Sequence, residues 1–169
     1  GDGQDQIVIC EDTDGDGQAD EFTVFADEGI SIPNSMVLVE DGAIVAHLND
    51  PSESGQMVHF RDTNGDDQAD EVNVLFSGFG NGDTHAGPNE LIHGIDNWIW
   101  GQVGYSGFNG TVAGEQYGFS SSVYRFKFDG SEVTDFQIVG ELPGNQAGLG
   151  ITEEGLAFGS AATAGRPSN

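Results

Sequence analysis

Apolar residues fall in short runs of four to six positions, separated by stretches rich in Gly, Asp and Asn, and no run of helix formers is long enough to carry a helical period. Ile7-Val-Ile-Cys10, Phe22-Thr-Val-Phe25, Met57-Val-His-Phe60 and Val72-Asn-Val-Leu-Phe76 are β-branched and aromatic, the composition that a pleated, half-buried surface favours. The pattern predicts strands at 7–10, 22–26, 36–40, 43–48, 57–61, 72–76, 89–93, 97–103, 123–128, 133–139, 148–152 and 156–159. Turn dipeptides at Asp41-Gly42, Asp129-Gly130 and Glu154-Gly155, and a corner at Ile95-Asp-Asn97, join neighbouring runs into hairpins. The fold class is all-β.

Two of the connections are near copies. Asp12-Thr-Asp14-Gly-Asp16-Gly-Gln18-Ala-Asp20 returns fifty positions later as Asp62-Thr-Asn64-Gly-Asp66-Asp-Gln68-Ala-Asp70. A repeat of this length built from four strands predicts a β-propeller. In that register 36–76 is one blade and 89–139 a second, while 7–26 is an outer half-blade and 148–159 an inner half-blade. About three blade equivalents result, an open segment or part of a larger ring, whose partners are the remaining blades of a longer parent chain or other subunits. A β-sandwich made of the same hairpins is the alternative.

Each copy sets oxygen side chains at positions 1, 3, 5 and 9 of a tight loop, a spacing that wraps a hard cation, above all Ca²⁺. The expected ligands are Asp12, Asp14, Asp16 and Asp20 with the carbonyl of Gln18, then Asp62, Asn64, Asp66 and Asp70 with the carbonyl of Gln68. The loops are not EF-hands: position 12 is Thr23 or Asn73 instead of a bidentate Glu, and strands flank them instead of helices. Asn64 removes one carboxylate from the second copy, and Asp67 replaces the Gly at position 6, where positive φ is expected. The second site is expected to bind more weakly.

Charge narrows the partners. Four Lys plus Arg against 29 Asp plus Glu give a net charge of −25, which excludes ordinary phosphate-backbone binding to nucleic acid and disfavours an anionic membrane surface. No apolar run is long enough to span a bilayer. Millimolar calcium points to an extracellular or periplasmic location. Cys10, the only cysteine, lies in an apolar strand and is expected to be a buried thiol.

Loops on one face of a propeller usually carry the chemistry, and here that face is built from 27–35, 49–56, 77–88, 104–122 and 140–147. His85 lies between Asp83 and Asn89 in the third of these and is the candidate general base, with either neighbour orienting it. The calcium loops belong to the opposite face. The loop 104–122 is long, Gly-rich and aromatic, with Tyr105, Phe108, Tyr117 and Phe119. Trp98 and Trp100 alternate on one strand and are expected to pack between blades.

The segments Asp12–Asp20, Phe79-Gly-Asn-Gly-Asp-Thr-His85 and Gly148-Leu-Gly-Ile-Thr-Glu-Glu-Gly-Leu-Ala-Phe-Gly-Ser160 resemble the planctomycete-type exported "membrane-bound dehydrogenase" β-propellers, themselves similar to soluble quinoprotein glucose and sorbosone dehydrogenases. The resemblance spans nearly the whole chain. It implies a six-bladed propeller of an exported enzyme that oxidises a sugar or alcohol, with pyrroloquinoline quinone as cofactor and His85 taking the hydroxyl proton. Arg61, Arg125 and Arg166 are the arginines available to hold an anionic cofactor. A non-catalytic extracellular binding or scaffold propeller is the other function consistent with the sequence.

Overall fold

In the computed structural model, residues 5–48, 53–142 and 144–162 are described, and they form strands joined by tight connections, a single 3-10 turn and no α-helix. The strands are β1 (Ile7–Glu11), β2 (Glu21–Ala26), β3 (Pro33–Val39), β4 (Gly42–His47), β5 (Gly55–Arg61), β6 (Glu71–Phe79), β7 (Pro88–His93), β8 (Ile99–Val103), β9 (Phe108–Val112), β10 (Glu115–Phe119), β11 (Ser122–Phe128), β12 (Val133–Glu141), β13 (Gln146–Ile151) and β14 (Ala157–Ala161). Every strand expected from the sequence forms, with ends shifted by a few residues.

The strands pair antiparallel in four sheets: β1-β2, β10-β9-β6-β5-β4-β3, β12-β11-β8-β7 and β13-β14. Among the described residues no sheet closes into a barrel. Successive sheets pack face to face. Ile7, Phe25 and Ile30 meet Ala43, Val45, Val58 and Phe60 between the first and second sheets. Ile44, Met57, Phe76 and Phe79 meet Leu91, Ile99, Tyr124, Phe126 and Phe136 between the second and third. Because side chains alternate across a strand, β4 sends Ala43 and Val45 into one layer and Ile44 and Ala46 into the other, so it is buried on both faces.

The largest layer is aromatic. Phe76 meets Phe108, Phe126 and Phe136 edge-on at 5.9, 5.6 and 5.9 Å between ring centroids. Each such pair contributes about 0.5–1.5 kcal/mol beyond its buried area. Trp98 and Trp100 are buried with Val123 against Leu149, Ile151 and Ala157 of the last hairpin, so they do pack between sheets.

Two expectations are corrected. The segment 104–122 is mostly not a loop: β9 and β10 form a hairpin whose Phe108 pairs with Phe79, extending the second sheet from four strands to six. Its aromatic residues are structural, with Phe108 stacked on Phe119 at 5.2 Å and Tyr117 donating its hydroxyl to the Phe136 carbonyl at 3.2 Å. Gly78 and Gly80, ahead of His85, serve this junction. A Cβ on Gly78 would lie 2.5 Å from the Asn109 carbonyl oxygen, and one on Gly80 would lie 2.1 Å from that of Ser106, so only Gly lets the two backbones approach. Cys10 is exposed, because Ile7 and Ile9 take the face of β1 that packs and Val8 and Cys10 take the other.

Candidate functional site

The two Asp-rich loops close the β1-β2 and β5-β6 hairpins. In the first, Asp12 accepts backbone N–H bonds from Gly15 (2.7 Å), Asp16 (3.2 Å) and Gly17 (2.8 Å), which curl the chain around its carboxylate. Thr13 ties the loop shut by donating its N–H and hydroxyl to Asp20 at 3.1 and 2.8 Å. The carboxylates of Asp12, Asp14 and Asp20 thereby converge, each with an oxygen within 4.8 Å of the others. Asp16 turns instead to Gln18, accepting from its N–H at 2.8 Å and its side-chain amide at 3.1 Å.

The second loop repeats the frame with different contents. Asp62 accepts from Gly65 (2.6 Å), Asp66 (3.3 Å) and Asp67 (2.9 Å), Thr63 donates to Asp70, and Asp66 accepts from the Gln68 N–H at 3.1 Å. Asn64 stands where Asp14 stands in the first copy, and its amide donates to Asp70 at 3.0 Å. Asp67 has φ 64°, the left-handed conformation expected at that position. Thr13 and Thr63, which hold the Asp at the ninth position of each copy, escaped the ligand spacing; their identity in both repeats was the signal.

Electrostatics favour the ionised forms. The Gly17 N–H, with those of Gly15 and Asp16, holds Asp12 below the usual carboxylate range. The Thr13 hydroxyl and N–H do the same for Asp20. At Asp62 desolvation pulls upward, but the N–H groups of Gly65, Asp67, Asp66 and Asn64 outweigh it and the carboxyl ends lowered. In water, two charges at this spacing repel by only about 1 kcal/mol, so an exposed cluster is tolerated without a cation and gains from one. The donor set is all hard oxygen, which fits calcium.

His85 occupies the other end of the second sheet. β5 runs from Gly55, paired with Phe79, to Arg61, which abuts the second loop, and its seven residues span about 20 Å. His85 sits in the 3-10 turn Thr84–Ala86, capped by Asp83, which accepts the His85 N–H at 3.0 Å and lies 3.3 Å from Nδ1. The imidazole is otherwise open to solvent, its side chain 89% exposed. Asp83 also accepts the Tyr105 hydroxyl, and that bond, then the His85 N–H, lowers its pKa while Tyr105 is raised. A carboxylate taking the Nδ1 proton leaves Nε2 of the neutral ring as an outward acceptor, the form a general base needs.

Asn89 does not orient His85. It turns inward, donating to the Gly87 and Gln146 carbonyls at 3.0 and 3.2 Å and accepting from Gln102 at 2.9 Å. His47, at the end of β4, is buried, and desolvation lowers its pKa. Tyr105 was legible as an aromatic residue of the loop, but not as the partner of Asp83.

The basic residues are committed elsewhere. Arg61 pairs with Asp41 and Glu71, both at 2.7 Å. Arg125 pairs with Asp96 at 2.8 Å and lies over Trp98 and Trp100, and Lys127 lies over Trp98. Arg166 lies outside the described residues. Among those described, no cation stands with His85, so this set does not fit a polyanionic quinone.

A family model described as "Domain of unknown function (DUF7133)" matches residues 1–168. No curated protein and no solved structure matches. No helix among the described residues is long and apolar enough to cross a membrane.

Proposed function

For this chain, which belongs to the DUF7133 family, we propose a calcium-binding β-propeller segment of an exported dehydrogenase-like protein acting on a sugar or alcohol. The observation that carries the calcium part is the convergence of Asp12, Asp14 and Asp20 in a loop that hydrogen bonds have already shaped. The propeller is supported by antiparallel sheets that pack face to face and, apart from the β9-β10 hairpin that returns to the second sheet, follow one another in chain order. Weak calcium sites fill where calcium is millimolar, which supports an extracellular or periplasmic location.

The catalytic part rests on Asp83 and His85. Nε2 is positioned to accept a proton from a bound hydroxyl, while Asp83 holds the ring and stabilises the imidazolium that forms. The described residues offer no cation for pyrroloquinoline quinone, so no step is drawn through it. Commitment of Arg61, Arg125 and Lys127 to acids and rings favours a second reading, a non-catalytic extracellular scaffold propeller held by the same calcium.

Metal analysis and dye-linked oxidation in the parent protein separate the readings. Bound calcium with alcohol turnover that falls about 10²–10⁴-fold in His85→Ala supports the enzyme. Calcium without turnover, or turnover indifferent to His85, leaves the scaffold. No bound calcium ends both.

A further inference from the structure

Equivalent positions of the repeat are covered in one place and bare in another. Leu91 and His93 of β7 face the second sheet: Leu91 is 5% exposed, and His93 Nε2 lies 2.6 Å from the Leu38 carbonyl oxygen. Fifty-five positions earlier stand Met36 and Leu38 of β3. They pair with Val45 and Ala43 of β4 and so share the face that the second sheet turns to the first. Yet Met36 is 51% and Leu38 70% exposed, because the first sheet holds only β1 and β2, which cover Ala43 and Val45 and leave β3 bare. A groove of about 790 Å³ lies there, lined by Ile7, Val8 and Ile9 on one side and Met36 and Leu38 on the other, and a second of about 260 Å³ lies against Pro33, Met36 and Val45. Among the described residues β1 pairs with β2 alone, so an unpaired strand edge borders the groove.

A hairpin that fits is present elsewhere in the chain. Over β7, the corresponding space is filled by β3-β4, whose second strand goes on to pair with β5. Asn34, Asn89 and Asn145 recur at intervals of 55 and 56 positions and set β13 in register with β3 and β7, with Leu149 at the position of Leu38 and His93. Leu149 packs on the third sheet, so the opposite face of β13-β14 carries Gly148, Gly150 and Phe158. The two glycines leave room for the long side chains of Met36 and Leu38, and Phe158 is itself 40% exposed. β14 pairs with β13 alone and offers a second free edge. Within one chain the two sites stand at opposite ends of the stack of sheets, so the hairpin in the groove must come from another copy.

We propose that β13-β14 of a second copy of this chain fills the groove, with β14 pairing antiparallel to β1 as β4 pairs with β5. The exchange is mutual, so two copies close about a two-fold axis and neither strand keeps a free edge. Together they hold twice three blade equivalents, within the range of about four to eight that close a propeller. Charge is complementary at the second half of the contact. The acidic β1-β2 hairpin of one copy lies over β11-β12 of the other, where Arg125 and Lys127, two of only four basic residues, stand over Trp98 on the face turned to β13-β14. The inference rests on the propeller reading above for the repeat of its hairpins and takes nothing from calcium or catalysis.

Sedimentation of the full chain at micromolar concentration is expected to give twice the mass of one chain, at about 0.15 M salt, where charges are screened beyond about 8 Å. Thiols then test the pairing. In a Cys10→Ser background, Val8→Cys and Ala161→Cys stand opposite each other if β14 meets β1 in the register that sets Val45 opposite Val58, and oxidation is expected to lock two chains into one covalent dimer. Met36→Glu with Leu38→Glu changes side chains already exposed in the single chain, so folding by circular dichroism is expected to persist while association weakens by about a hundredfold. A single-chain mass for the unaltered protein, an intrachain disulfide, a ladder of longer polymers, a dimer without the cross-link, or one that survives both Glu substitutions each overturns the proposal. Metal content and turnover report separately on the function proposed above. A covalent dimer without bound calcium keeps this inference and loses that one, and a calcium-loaded monomer with turnover does the reverse.

Discussion

The loops 12–20 and 62–70 share a backbone frame and differ in what fills it. The first Asp gathers three N–H groups from the turn in one copy and four in the other, and a Thr clamps the ninth residue, so the frame rests on Asp-Thr at the start, a Gly at the fourth position with φ 77° or 81°, and Asp at the end. The contents vary on top of it: three carboxylates converge in the first, whereas an amide replaces one of them in the second and itself bonds to Asp70. Loop shape and the charge gathered inside the loop are therefore separately encoded. The β11-β12 connection sharpens the lesson. Asp129 there accepts from Ser131 and Glu132 in a tight turn, but the acids that follow, Glu132 and Asp135, lack the spacing of the two loops, and among the described residues no ligands converge on it.

Removing the metal from both loops is the largest expected effect. Calcium bound only to the folded state adds about 2.7 kcal/mol per site at a hundredfold excess over its dissociation constant. At about 2–4 °C per kcal/mol for a domain of this size, chelation lowers the melting temperature by about 10–20 °C if both sites fill, and by half that if one does. Differential scanning calorimetry in calcium and in chelator measures this, and superimposable curves would remove calcium from the account of both loops.

Exchanging the contents tests the contrast directly. Asp14→Asn is expected to weaken the first site about tenfold, and Asn64→Asp to strengthen the second by a similar factor, since affinity follows the charge count of the ligands. Calcium titration by calorimetry reads both. Two variants that leave the affinities in their original order would show that charge count does not set the difference.

Acid separates loops from core. Burial lowers the pKa of His47 and His59, so the folded state holds them neutral while the unfolded chain takes up protons near 6.5. Their contribution to stability is present above 6.5 and declines as the pH falls below it. The carboxylates of Asp12, Asp20 and Asp62 are also lowered, but from 3.8, so their contribution persists to that pH and is lost only as it falls through their depressed values. In chelator, a urea midpoint is expected to drop first between pH 7 and 5, then again below pH 4. A midpoint flat from pH 7 to 5 would place His47 and His59 in contact with water.

The strands and both loops were legible because each announces itself locally: β-branched runs for the strands, repeated acids for the loops. The β9-β10 hairpin was not, for a physical reason. Its turn places Ala113 and Gly114 at φ 49° and 82°, a geometry usually signalled by Asn or Asp before Gly, and Ala hides it. Gly110 and Gly118 also break up the strands, whose stability comes from Phe108 and Phe119 packing into a sheet far away in sequence. At the other end, the spacing of Asp83, His85 and Asn89 offered two partners for His85 and could not say that Asp83 contacts it while Asn89 turns inward to Gln102 and Gln146. A side chain that bonds to a carbonyl 57 positions away leaves no local trace.

The smallest expected effect isolates the frame from its contents. Gly17 and Asp67 occupy the same loop position at φ 87° and 64°. Left-handed backbone costs an L-residue about 1–2 kcal/mol, partly returned because Gly loses more conformational freedom on folding. Asp67→Gly is therefore expected to stabilise the calcium-free protein by about 0.5 kcal/mol, and Gly17→Asp to destabilise it by a similar amount. The N–H of residue 67 still reaches Asp62, so the frame persists in the variant. Paired urea melts in chelator measure both changes. If Asp67→Gly were destabilising, the side chain of Asp67 would have to take part in holding the second loop, and the difference between the loops would lie in the frame as well as in the ligands.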